Sequence, residues 1–199
     1  AFMYWSIKNG RTPIFMTSSN DLLSDIYRDI NDCGLNKYIN PFYMMSDGEQ
    51  IVDKKHNQVL VDKVSIQNTK HQFLDNSATS IPNNCILTTY SQINRLIEPK
   101  NNRKNKPVFF EDRLNNRAKW LSNFLQNNNC QLILDESHNV ASVTSNQAKV
   151  LEHMTKHTKN PVIRSSATWS KDANNIAQCA DLFPSNFTSE SLRQMVING

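Results

Sequence analysis

The stretch QLILDESH, Gln131 to His138, drives Leu132-Ile133-Leu134 straight into two adjacent carboxylates, Asp135 and Glu136. An apolar strand ending in Asp-Glu is the Walker B arrangement: the Asp can hold Mg²⁺, directly or through water, and the Glu can orient an attacking water. Neighbouring strand residues face opposite ways, so both carboxylates reach one site only where the strand is ending. The plainer alternative is a helix N-terminal turn that uses the acids for capping and dipole. About thirty residues later Ser166-Ala167-Thr168 closes another apolar run, Pro161-Val162-Ile163. Taken alone, that triplet could equally be an ordinary turn. Two more hydroxyl clusters, Thr17-Ser18-Ser19 and Thr88-Thr89-Tyr90, also follow short apolar runs.

Elements of alternating type must position these groups. Phe2 to Ile7 reads as the end of a helix closed by Gly10, a residue suited to a left-handed cap. Ile14-Phe15-Met16 reads as a buried strand. Leu22, Leu23, Ile26 and Ile30 then recur at helical spacing behind a Ser19 or Asn20 cap, and Gly34 stops the helix. Cys85-Ile86-Leu87 predicts a second buried strand, with Ser91 capping a short helix. Leu114 to Leu125 predicts a helix with Trp120 at its edge, and Ser145 to His157 another. Residues 35 to 80 form a polar elaboration, with one strand expected over Val59 to Ile66. Strands separated by crossover-length connections must pair in parallel, so the expected class is α/β, a parallel sheet flanked by helices. In such sheets ligands collect at the carboxyl ends of strands, where all four clusters fall.

Composition narrows the field less. The 199 residues carry a formal charge of +4, compatible with a polyanionic partner or a simple solubility surplus. No run approaches the roughly 20 apolar residues that span a bilayer, so no membrane role is expected. Cys33, Cys85, Cys130 and Cys179 lie far apart with no C-x-x-C pair, which disfavours a disulfide scaffold or a zinc site and favours a reducing, intracellular setting. Lys100, Arg103, Lys104 and Lys106 make a basic loop within residues 99–107, read either as solubility or as contact with a nucleic-acid backbone. His153 and His157 sit one turn apart but lack a third ligand, so an exposed helix face is expected rather than a metal site. Met44 and Met45 beside Phe42-Tyr43 read as packing, and Asp47-Gly48-Glu49 lacks the rest of a calcium loop. Asparagine is abundant and only four glycines occur, a bias that AT-rich coding in a phage or bacterial genome would produce.

LILDESH followed by SSAT resembles motifs II and III of superfamily 2 helicases. The flanks sharpen the likeness toward the strawberry-notch branch: Trp5, Gly10 and Arg11; Thr17 to Leu22 with Asp25, Arg28, Asp29, Ile30 and Gly34; Thr88 to Ser91; Arg113 and Trp120. The similarity covers most of residues 1–34 and 84–184, and departs from the branch at Ser137, where Cys is more usual. The resemblance implies the first RecA-like lobe of an ATP- and Mg²⁺-dependent helicase or translocase, spanning 1–184, with 185–199 a tail or linker. Asp135 would position Mg²⁺ and Glu136 would activate water. His138 with Ser166 and Thr168 would transmit nucleotide state. Thr17, Ser18, Ser19, Thr88 and Thr89 would touch nucleic acid, DNA in preference to RNA. A second RecA-like lobe would complete the machine.

No G-x-x-x-x-G-K-[ST] occurs in the sequence, so the phosphate-cradling loop is missing. The chain opens mid-helix on Ala1, and the expectation is a piece of a longer protein whose Walker A precedes it. Two alternatives remain open: a helicase-like scaffold or binding module that hydrolyses nothing, and an unrelated α/β nucleotide-binding enzyme.

Overall fold

The computed structural model describes residues 1–45, 50–61, 80–94, 96–97, 109–140, 145–156, 158–166 and a few positions between 188 and 195. The basic loop, the calcium-like triplet, most of the strand expected over 59–66, His157, Thr168 and most of the tail lie outside these residues.

Helix α1 (Phe2–Lys8) leads into strand β1 (Thr12–Thr17), then α2 (Asn20–Asp32) and β2 (Pro41–Met44). A small hairpin, β3 (Ile51–Asp53) and β4 (Gln58–Val61), precedes β5 (Cys85–Thr89) and a 3₁₀ turn over Tyr90–Ile93. Then come α3 (Phe110–Arg113), α4 (Asn116–Asn127), β6 (Cys130–Leu134), a second 3₁₀ turn (Ser137–Val140), α5 (Asn146–Lys156) and β7 (Val162–Arg164). Five strands pair in parallel in the order β2-β5-β1-β6-β7, the sheet expected of a RecA-like lobe.

Both faces of the sheet are covered, because alternate strand residues point to opposite helix layers. Ile14, Met16, Phe42, Met44, Ile86, Leu132 and Leu134 share a core with Trp120, Leu121 and Phe124 of α4 and Val150, Leu151 and Met154 of α5. Phe15, Tyr43 and Leu87 face the other way, toward Leu23 and Ile26 of α2 and Met3 of α1. Trp120, expected at the helix edge, is instead completely buried in the first core. Cys85 and Cys130 are buried free thiols, each pushed up to about 12 by desolvation, and so are poor nucleophiles. Among the described residues, no helix is long and apolar enough to cross a membrane.

Gly10 and Gly34 end their helices as the spacing predicts, at φ +68° and +64°. Each closes a Schellman motif: Gly10 and Arg11 donate to the carbonyls of Ile7 and Ser6, and Gly34 and Leu35 to those of Asn31 and Ile30. Ser19 caps α2, its hydroxyl accepting from the Leu22 N–H at 3.5 Å. The helix expected after Ser91 is shorter, the 3₁₀ turn at Tyr90–Ile93, whose Gln92 carbonyl accepts from the side chain of Asn115, the α4 cap.

The hairpin packs on α2 through a buried carboxylate. Asp53 accepts at one oxygen from the Lys55 and His56 backbone N–H groups and lies with the other 2.7 Å from His56 Nδ1 and 3.2 Å from Arg28. Chiefly the His56 ring, then its backbone N–H and the charge of Arg28, hold this carboxyl below the usual range against the opposing effect of burial. A carboxyl depressed in the folded state stabilises above its unfolded pKa, about 4, and loses that contribution as pH falls through the lower folded value. Urea titrations of the protein and of Asp53→Asn are therefore expected to differ most above about pH 4, with the gap closing on acidification. A gap that stays constant to pH 2 would rule out this role for Asp53.

Candidate functional site

The parallel register brings the strand ends to one rim. Met16 pairs with Thr88 and with Leu134, Thr17 pairs with Thr89, and Leu134 pairs with Arg164. The ladder runs one residue past β6, where Asp135 N–H donates to the Met16 carbonyl at 2.8 Å. Ser165 N–H then donates to the Leu134 carbonyl and Ser137 N–H to the Ser165 carbonyl, so the segments after β6 and β7 are laced together.

At that point the chain turns on a residue that does not favour turning. Glu136 has φ +50°, a left-handed conformation that an L side chain without special local bonding adopts at a cost of about 1–3 kcal/mol. Such a cost persists when surrounding bonds over-determine it, and functional sites are where it collects. The left-handed step turns Glu136 back toward the rim, where its Oε2 lies 3.1 Å from His138 Nδ1. That oxygen is buried and makes no hydrogen bond among the described residues. His138 Nδ1 instead engages Ser166 Oγ at 2.8 Å. The imidazole nitrogen bonded to the hydroxyl that follows β7 thus also lies beside the carboxylate of the DESH segment.

Asp135 is held from two sides. Thr17 Oγ1 donates to its Oδ2 at 3.2 Å, and the Tyr90 hydroxyl donates to its backbone carbonyl at 2.7 Å. Burial, and after it the charge of Asp135, push the Tyr90 phenol well above its ordinary range, so Tyr90 is a permanent donor. Among the described residues no three His, Cys, Asp or Glu side chains cluster as a metal cage. Asp135 is a carboxylate at the strand end that could hold a Mg²⁺ ion.

The structure unites Asp135, Glu136, His138 and Ser166, and it adds Thr17 to that group. Thr17 and Thr88 are fully buried, with their hydroxyls committed to Asp135 and to the Met44 carbonyl. Thr89 is 1% exposed and pairs with Ser91 Oγ at 2.7 Å. Ser18 and Ser91 are the exposed hydroxyls of these two segments, with Ser19 half-buried as the α2 cap. Tyr90, counted in the sequence only as a member of the Thr88-Thr89-Tyr90 cluster, is the further residue that the structure brings to Asp135. Its signal was its place directly after a strand that ends in hydroxyls. His153, expected on an exposed face, packs against the Phe110 ring at 5.2 Å and lies 3.6 Å from Glu111.

Nothing among the curated proteins matches the chain. The family model described as P-loop containing NTP hydrolase pore-1 matches residues 3–193. That span takes in every strand of the sheet and the whole carboxylate turn. A parallel α/β sheet with Asp-Glu at the end of an inner strand is the scaffold on which such proteins hold a nucleotide and its Mg²⁺, and the chain belongs to this family of P-loop NTP hydrolases.

Proposed function

We propose that this chain is the first RecA-like lobe of a superfamily 2, strawberry-notch-like helicase or translocase, an engine that spends NTP hydrolysis on moving along nucleic acid. The observation that carries the reading is the Glu136–His138–Ser166 contact. A group that must sense the nucleotide shares one imidazole with the segment leading out of β7. Asp135 would hold Mg²⁺, which when bound would supply positive charge to the phosphates. Glu136 orients the attacking water and takes its proton. His138 passes the state of that carboxylate to Ser166, and Thr168 lies two residues further on. Ser18, Ser19 and Ser91 supply hydroxyls at the rim for backbone phosphates, which position a strand without reading its sequence. DNA is the partner expected first. The phosphate loop and the second lobe come from other parts of the machine.

The test is Mg²⁺-dependent ATP hydrolysis by the intact protein, with and without single-stranded DNA. Hydrolysis stimulated by DNA is expected, and removal of Mg²⁺ with a chelator should abolish it. The rival reading is a helicase-like lobe retained for nucleic-acid binding, with hydrolysis lost. DNA binding without hydrolysis would establish that rival and end the motor reading.

A further inference from the structure

Tyr90 stands between the two halves of the proposed mechanism. It follows Thr88-Thr89 directly and opens the 3₁₀ turn whose Ser91 is exposed at the rim. Its ring is 2% exposed, in the core formed with Met16, Ile93 and Leu134. Its hydroxyl reaches 2.7 Å to the Asp135 carbonyl, across the strand that separates β5 from β6.

The consequence follows from peptide geometry. The Asp135 carbonyl and the Glu136 N–H belong to one planar unit, so fixing that oxygen fixes the plane from which Glu136 departs. Glu136 leaves it in the left-handed region, where the turn needs external bonds to persist. Three hydrogen bonds brace the backbone there: Asp135 N–H to Met16, Ser137 N–H to Ser165, and Tyr90 to Asp135. Of these, the Tyr90 bond sets the Asp135–Glu136 peptide itself. The other end of the lever is anchored too. Thr89 Oγ1 bonds Ser91 Oγ at 2.7 Å, and Asn115 ties the Gln92 carbonyl to α4. A ligand that draws in Ser91 therefore moves the segment on which Tyr90 is the first rigid side chain.

We propose that Tyr90 is a positioning residue that links occupancy of the Thr89–Ser91 rim to the orientation of Glu136. It rests on the motor reading above. Tyr90→Phe keeps the ring and its burial and removes the hydroxyl alone. In the intact protein, DNA-stimulated kcat is expected to fall about tenfold, the usual scale for losing a partner that orients a metal ligand. KM for ATP and the Kd for single-stranded oligo(dT) should stay within about twofold, because the variant leaves Asp135 and the rim hydroxyls in place.

Amide hydrogen exchange supplies a readout that catalysis does not enter. Oligo(dT) should slow exchange at 135–137 as well as at 89–92 in the unaltered protein, and at 89–92 alone in Tyr90→Phe. Three results overturn the proposal: an unchanged stimulated kcat, full protection of 135–137 in the variant, or no protection of 135–137 by oligo(dT) in the unaltered protein. An unaltered protein that hydrolyses no ATP refutes the motor reading instead. The exchange pattern still decides, in that case, whether Tyr90 carries rim occupancy to the turn.

Discussion

Replacing Glu136 by glutamine in the intact protein is expected to lower kcat for ATP hydrolysis by roughly 10²–10⁴-fold, the range that a positioned general base contributes. Glutamine keeps the size of the side chain and an oxygen acceptor, but it cannot take a proton from water. KM should change by no more than a few fold, because Asp135 keeps its carboxylate and its bonds from Thr17 and Tyr90. Stability should not suffer. The Glu136 side chain is 34% exposed and its Oε2 lies 3.1 Å from His138 Nδ1, so glutamine replaces a partly solvated carboxylate with an amide of the same shape. Single-turnover hydrolysis and a thermal melt separate the two effects. A variant that hydrolyses at the parent rate would show that Glu136 is not the base, and one that melts many degrees lower would show that its charge is structural.

The carboxylate turn was legible because its chemistry is written in adjacent letters: apolar residues deliver Asp135 and Glu136, and Ser166 closes the next strand. The backbone conformation that makes it a site was not. Nothing in DESH announces that Glu136 takes a positive φ, since that depends on bonds from Tyr90 and Ser165, residues 46 and 29 positions away. Strand ends were easier to read than their orientation. Thr17 and Thr88 were assigned to nucleic acid as rim hydroxyls, whereas strand pairing turns both inward, toward Asp135 and Met44. Strand β2 was missed for a related reason. Phe42 and Met44 face one helix layer and Tyr43 and Met45 the other, so the strand shows no alternation with polar residues. The asparagines, set aside as base composition, act as staples. Asn160 accepts from Cys130 N–H and donates to the Leu125 and Asn128 carbonyls, and Asn84 bridges Tyr38 and Asn40. Their amide groups satisfy loop backbone where few glycines are available to fold it tightly.

Trp120→Ala is expected to be the most damaging single change to stability. Trp120 is 0% exposed, stacks on Phe124 with ring centroids 5.1 Å apart, and meets the Phe42 ring of β2 at 6.0 Å. Truncating a buried aromatic of this size costs about 3–5 kcal/mol, since the lost transfer energy is joined by a cavity that close-packed neighbours fill only in part. At about 2–4 °C per kcal/mol for a chain of this length, the melting midpoint should fall by roughly 6–20 °C. Trp120→Phe leaves a smaller void and should lie between the two. The same core holds Met16, Tyr90 and Leu134, the residues from which the carboxylate turn is hung. A cavity beneath α4 therefore loosens the platform of the site before it unfolds the sheet. Below the lowered midpoint, amide exchange at 134–137 should rise more in Trp120→Ala than exchange at 12–15, which begins at the far end of β1. Equal rises at both places would mean that the sheet yields as one body and that the rim has no softer support of its own.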